Sequence, residues 1–582
     1  MKFEAVYHRN SDQYSYPLNE VELILNLKTG KDVTKAFLLY GDPFDDGIRD
    51  GDWNWKREEL IYKKNLTYHI WWTTTVKPNY KRCKYYFELC TRDETYFYFE
   101  DGFYTEKEMQ QQGKNLGCFI FPWMNAIDIN KPPKWVNETV WYQIFPERFC
   151  NGDTTNDPEG TKPWEHHQVS NEEFYGGDLQ GIIDKLDYLE DLGVNGIYLT
   201  PIFESETSHK YDTKDYRKID PHFGDQKTLI ELVKTAHAKG IRVMLDGVFN
   251  HSGHLWQPWQ DVLEKGPDSK YYEWFMINKW PLEKQERSTK NGDFYSFAFT
   301  SRMPKLNTNH PEVIAYLLET VKYWMDTFGV DGLRLDVANE ISHQFCKELR
   351  KLVKRRNPEF FLLGEIWNDS IQWLRGDEFD SVMNYPLSNA IADFWIYQDR
   401  TSFDFECAIN QSFTMYMQQT NDVLFNLLDS HDTNRLMNKV GDLDVFYQQL
   451  AVLFTMPGSP CIYYGTEIAM EGGHDPDCRR CMPWDSIQQG VYQERIEILK
   501  QLIRCRKEYD SFRSAHFHFE SNAKESRQIH FIKTDNQGGQ IEVILNCTLN
   551  ESLVEQTGTV LFSRKYENGV MLPKGILIRK LD

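Results

Sequence analysis

The distribution of apolar and polar positions changes character twice along the chain. From Met1 to about Met124, short runs rich in Tyr, Phe, Trp, Thr and Val, such as YHIWWTTTV and KYYFELC, are separated by Gly, Pro, Asn and Asp. That is the pattern of strands joined by turns, and it predicts an N-terminal β-sandwich over residues 1–124. After the linker-like NKPPKW, continuous apolar runs alternate with amphipathic segments. The strand candidates are VWYQIF from Val140, GIYLTPIF from Gly196, IRVMLDGVFNH from Ile241, GLRLDV from Gly332, FFLLGEI from Phe360, SVMNYPL from Ser381, LFNLLDSHD from Leu424 and CIYYGTE from Cys461. Between them lie helical segments such as DLQGIIDKLDYLEDLG and QKTLIELVKTAHAKG, each closed by a glycine stop. Eight strands buried on both faces and alternating with helices predict a (β/α)8 TIM barrel over residues 125–508.

The strand spacing locates an insertion. Most neighbouring strands begin ~20 to 45 residues apart, which suits βαβ units of about 30 residues or more. From Ile241 to Gly332 the separation is 91 residues. An inserted subdomain after strand 3, residues 252–305, accounts for the excess. Beyond Tyr509 the alternating runs RQIHFIKT, QIEVILNCT and GILIRK predict a C-terminal β-sandwich over residues 509–582. No solenoid-period repeat or low-complexity tract interrupts this order.

Composition narrows the chemistry. With 66 Lys and Arg against 87 Asp and Glu the chain carries a formal charge of −21. That balance disfavours nucleic acid and anionic membrane surfaces as partners. An apolar content of 41% supports a large core. The aromatic count, 17 Trp, 32 Tyr and 36 Phe, exceeds what a core alone suggests and points towards sugar rings, whose faces are flat and apolar. The first twenty residues lack the apolar stretch of a secretory signal, and 11 cysteines scattered over a large chain do not form a disulfide framework. The expected location is therefore cytoplasmic. Cys478 and Cys481 form a lone C-x-x-C without a second pair at zinc spacing, so they read as reduced thiols at a site wall rather than metal ligands.

In such barrels chemistry collects at the C-terminal strand ends. Strand 3 ends in Asp246, Asn250 and His251, strand 4 in Arg334 and Asp336, strand 5 in Glu365, and strand 7 in His431 and Asp432. Strand alternation points Arg334 and Asp336 to the same side. The arginine is expected to lower the pKa of Asp336 and keep it ionised, as a nucleophile requires. Glu365 sits between FFLL and Ile366–Trp367, apolar surroundings that favour its protonated, acid role. Two carboxyl groups in one pocket are what glycosidic cleavage needs, and a third, Asp432, is placed to hold sugar hydroxyls. One acid at one strand end would read as a helix cap. Three on three ends, with His and Arg among them, favour catalysis.

The segments DGVFNHSG, GLRLDVANE, GEIW and LLDSHD resemble, in order and spacing, the four short conserved regions of the α-amylase family of glycoside hydrolases. MPKLN at Met303 to Asn307 resembles the hallmark of the subfamily holding neopullulanase, cyclomaltodextrinase and maltogenic amylase, and the resemblance extends over essentially the whole chain. It implies Asp336 as nucleophile, Glu365 as acid/base and Asp432 as transition-state stabiliser. It further implies that His251, Arg334 and His431 contact the sugar at the cleaved bond, Tyr211 in HKYDTKDY stacks beneath it, and Asp475 and Arg479 in DPDCR bind it from the side. Trp367 is a further aromatic candidate for sugar contact. Leu333 stands where relatives often have Trp, and Asn368 where His is common. The second departure bears on the balance of hydrolysis and transglycosylation.

NGDTTND supplies oxygen ligands at Asn151, Asp153, Asn156 and Asp157, and GGD follows at Gly176 to Asp178. On composition this is a polar turn. The resemblance implies instead a structural calcium held by these residues, with Gly176 and Asp178. Trp53, Trp55, Trp71 and Trp72 read first as packing. The resemblance implies that their domain builds a homodimer.

The expected activity is retaining hydrolysis of α-1,4 bonds in cyclodextrins, maltodextrins and pullulan, giving maltose, glucose or panose, with transglycosylation alongside. An α-1,6-glucosidase or a sucrose- or trehalose-acting relative is the enzymatic alternative, against which MPKLN speaks. A non-catalytic binding or partner subunit should have lost an acid, and all three stand.

Overall fold

The structure is a computed structural model that describes residues 1–45, 54–112, 117–164, 169–283, 288–520 and 525–581. In the N-terminal region antiparallel strands form one sheet of four and one of six. Their inward positions alternate with outward ones, so Leu23, Leu25 and Leu27 of one sheet share a core with Leu38, Tyr85, Phe87 and Leu89 of the other. Trp72 lies in that core, and Trp71, on the opposite face of its strand, is buried with Tyr14 and Leu66. Both tryptophans therefore pack. Trp55 is 47% exposed, and Trp53 lies outside the described residues.

All eight barrel strands form: β1 (Trp141–Ile144), β2 (Gly196–Leu199), β3 (Arg242–Gly247), β4 (Gly332–Leu335), β5 (Phe361–Gly364), β6 (Ser381–Val382), β7 (Phe425–Asn426) and β8 (Ser459–Tyr463). They pair in parallel in the order β6-β5-β4-β3-β2-β1-β8-β7. A parallel bridge between Met383 and Phe425 joins the two ends and closes the barrel. Each strand is buried along nearly its whole length, which is why the sequence runs are continuous rather than alternating.

Between β3 and β4 the chain leaves the barrel through the helix Gln257–Lys265 and several short turns. Bridges from His251 to Lys305 and from Phe275 to Leu306 hold this excursion against its own stem. Trp256, Trp259, Trp274 and Phe294 bury their rings within it, joining the main core. Behind the barrel a six-stranded antiparallel sheet is organised on the twelve-residue strand Val570–Leu581, which pairs with three others. Ile529, Phe531, Val543 and Ile578 of this sheet are continuous with the barrel core. Among the described residues no helix is long and apolar enough to cross a membrane.

Candidate active site

The C-terminal ends of β3, β4 and β5 bring three acids onto one guanidinium. Arg334 is fully buried, and its Nη1 lies 2.8 Å from Asp246 Oδ2 and 2.9 Å from Asp336 Oδ1. Its Nη2 lies 2.9 Å from Glu365 Oε2. The expected same-side placement of Arg334 and Asp336 is therefore found, and Glu365 joins them from the next strand. The backbone N–H of Val337 donates to Glu365 Oε2 at 2.9 Å, and the Trp367 indole donates to Oε1 at 3.1 Å. Val337 reaches that position with φ 45°, a left-handed conformation that is strained for a β-branched residue.

Burial is the largest influence on Asp336 and pushes its carboxyl well above the usual range. Arg334 pulls it down, while Glu365, Asp246 and Asp432 push it further up. The arginine acts in the direction the sequence suggested, but depth and the company of like charges outweigh it. The same burial raises Asp246. Acids this close titrate as a set rather than one by one.

A second group hangs from the end of β7 and the loops after β8. His431 is buried, its Nδ1 is 2.6 Å from the Gln143 amide, and its Nε2 is 2.6 Å from the Tyr211 hydroxyl. Burial first, then the charges of Arg479 and Arg334, hold His431 well below its usual pKa, so it is neutral. The Tyr211 ring stacks on it at 5.5 Å and 4°. Arg479 donates to the His431 carbonyl at 2.9 Å, lies 2.8 Å from Asp475 Oδ1 and reaches Asp432 Oδ1 at 3.3 Å. Tyr211 also donates to Asp246 Oδ2 at 3.1 Å, which ties the two groups together.

Between the groups opens a cleft of about 530 Å³ lined by Tyr211, His251, Asp336, Glu365, Trp367, Asp432, Asp475 and Arg479. Ten sequence candidates thus converge, Arg334 forming the floor and His431 one wall. His251 is pinned by the Tyr211 carbonyl and stacked on Phe297 at 5.0 Å, and burial pushes it down to about 3. The exposed face of Trp367 lies over the mouth, backed by Tyr385 at a ring distance of 3.7 Å.

Residues absent from the sequence-derived set also line or brace the site. Asn171 accepts from Arg479 at 3.0 Å, and His209, Phe297, Met303, Asn339 and His474 face the cleft. A lone polar residue in a loop gives no local signal, and Asp246, marked in the sequence only as a carboxylate ending strand 3, proves to be a further partner of Arg334.

The candidate cation loop folds around Gly176, whose φ is 85° and whose missing Cβ would strike Asn151 and Asp157. The buried Oδ1 atoms of Asn151 and Asn156 have no hydrogen-bond partner. Asp178 also braces the loop. It caps the helix Leu179–Asp184 and accepts from the N–H groups of Gly152, Asp153 and Gly181 and from the Asn156 amide. The unpartnered amide oxygens fit a hard cation, which prefers such ligands. Cys478 and Cys481 are buried, and the Cys478 thiol donates to the His431 carbonyl at 3.1 Å.

The chain matches a family model described as alpha amylase, catalytic domain, over residues 143–569, and one described as alpha amylase, N-terminal ig-like domain, over residues 1–125. A cyclomaltodextrinase of Geobacillus thermopakistaniensis is 46% identical over 555 residues, covering 95% of this chain and 92% of that protein. The intracellular maltogenic amylase of Bacillus subtilis is 42% identical over 513 residues, covering 87% and 85%. A solved cyclomaltodextrinase structure superposes with a TM-score of 0.90 at 41% identity and covers 100% of both chains.

Proposed function

The chain belongs to the α-amylase family of glycoside hydrolases, and from that premise we propose that its cleft cleaves α-1,4-glucosidic bonds of cyclodextrins, maltodextrins and pullulan with retention of configuration. The observation that carries this reading is the single guanidinium of Arg334 shared by Asp336 and Glu365 on adjacent strand ends. Asp336 attacks the anomeric carbon as carboxylate while Glu365 passes a proton to the leaving glycosidic oxygen. The resulting glycosyl ester is opened by water, whose proton returns to Glu365, or by a sugar hydroxyl, which gives transglycosylation. Asp432 receives hydroxyl hydrogen bonds as the ring flattens, and His431 contacts the sugar beside it. His251 and Arg334 flank the cleaved bond. Tyr211, braced from behind by His431, offers its face to the sugar, Trp367 caps the mouth, and Asp475 and Arg479 hold the ring from the side.

Asp336→Asn should abolish turnover and leave cyclodextrin binding near intact. Substantial residual hydrolysis would remove the nucleophile role. Chromatography of products from β-cyclodextrin, pullulan and starch, run side by side, ranks the substrates.

The cation loop is read as a structural calcium site of Asn151, Asp153, Asn156, Asp157, Gly176 and Asp178, the last of which also holds the loop to the helix behind it. The support is the pair of unpartnered amide oxygens. Exposed aromatics on the N-terminal sandwich, Trp55, Tyr62, Tyr68 and Trp123 among them, support a homodimer through that domain. A cytoplasmic location is consistent with the relative named as intracellular.

A further inference from the structure

Away from the cleft, three parts of the chain meet around Phe517. The strand Tyr62–Asn65 of the N-terminal sandwich is held to the helix Ser402–Ser412, where the Asn65 amide donates to Glu406 at 2.8 Å and Asn410 donates to the Asn65 carbonyl at 3.0 Å. That contact brings Lys64 over the ring of Phe517, its Nζ 3.8 Å from the centroid. From the C-terminal sheet Lys533 points at the same ring, with Nζ 5.8 Å away. Lys533 is 0% exposed, and its ammonium has no hydrogen-bond acceptor.

The surroundings do not neutralise these charges. Among the described residues no acceptor meets the Lys533 ammonium, and burial, with no acid beside it, is what acts on Lys64. Arg506, buried beside them, spends its guanidinium on the carbonyls of Phe454, Met456, Phe512 and Gly458, which are neutral acceptors. His516 adjoins the two lysines, and Asp422 acts on Lys533 in the direction that keeps it charged. The junction thus holds more buried cations than anions, in surroundings where an unpaired ammonium is costly.

We propose that this three-domain junction binds one small monovalent anion of chloride size between the ammoniums of Lys64 and Lys533. Full burial of Lys533 favours a monatomic ion over a polyatomic oxyanion. The positive edge of the Phe517 ring suits an anion beside it, while the ring face takes the ammoniums. Consistent with a missing counter-ion, burial brings Lys64 down to about 7 and Arg506 to about 9, and raises Asp422 to about 7. The anion would fasten the sandwich and the C-terminal sheet to the barrel, since each part supplies one of the groups around it.

The test compares thermal unfolding of the full chain in sodium chloride, sodium bromide and sodium gluconate at matched ionic strength. A saturable rise of the midpoint by about 1 °C in halide, absent in gluconate, is expected at tenfold excess over half-saturation. Lys533→Met should abolish the halide dependence, raise the midpoint in gluconate and leave turnover of β-cyclodextrin unchanged. Anomalous diffraction from bromide-soaked wild-type crystals should give a peak between the two ammoniums, and this measurement decides the matter alone if the variant fails to fold. Equal midpoints in halide and gluconate, an undiminished halide effect in Lys533→Met, or no bromide at Lys533 would overturn the proposal.

Discussion

Replacing Arg334 by Met removes the one cation that Asp246, Asp336 and Glu365 share. The methionine fills much of the same volume, so the loss is electrostatic rather than steric. Taking one partner from a buried ion pair costs about 3 to 5 kcal/mol because a charge is left uncompensated. Here the stranded carboxyls can escape part of that cost by binding protons. Asp246 and Asp336 already sit above their unfolded range, so their stabilising contribution is present at low pH and fades as pH rises through the folded value. Without Arg334 that folded value moves up, and the window of loss extends towards neutral and alkaline pH. Each proton bound in excess by the folded state changes stability by about 1.4 kcal/mol per pH unit, with stability falling as pH rises. Urea unfolding of wild type and Arg334→Met at pH 5.5 and 8.0 should therefore show a deficit of about 4 kcal/mol at pH 8.0 that shrinks by about half or more at pH 5.5, with turnover lost at both. A deficit of equal size at the two pH values would refute the reasoning, since it would mean that removing Arg334 leaves the proton binding of these carboxyls unchanged between them.

Val337→Gly relieves the left-handed backbone between the two acids, so stability should hold or rise by up to about 1 kcal/mol in thermal unfolding while kcat falls, because the N–H that holds Glu365 loses its fixed direction. Chelation by EDTA should lower the unfolding midpoint of the wild type and leave that of Asn151→Ala unmoved, as read by calorimetry with and without added calcium. Light scattering at micromolar concentration should find a species of twice the 69.0 kDa chain mass; a monomer alone would set the dimer aside.

Much of the barrel was legible because doubly buried parallel strands leave unbroken apolar runs, and all eight runs became strands in the expected order. The ends of those runs also exposed the acids. What the sequence could not give was depth. Spacing placed Arg334 beside Asp336, but whether the guanidinium or the burial prevails depends on Asp246 and Asp432, which arrive from distant strands. Gln143, Asn171 and His209 escaped for a related reason, since each is an isolated polar residue whose role exists only once remote loops meet. Trp71 and Trp72, adjacent and outwardly alike, are buried on opposite sides of one strand, as the two-residue period requires.

The barrel closes through strands of only two residues and the single bridge between Met383 and Phe425. On one side of that seam Arg334 binds Asp336 and Glu365 into one rigid jaw; on the other, Arg479 and His431 carry Asp432 as the opposing jaw. Tyr211 is the hydrogen-bonded hinge pin between them. The enzyme in this sense carries its acids on the two sides of a thin hoop, with the attacking acid and the proton donor fixed on one side by a single guanidinium.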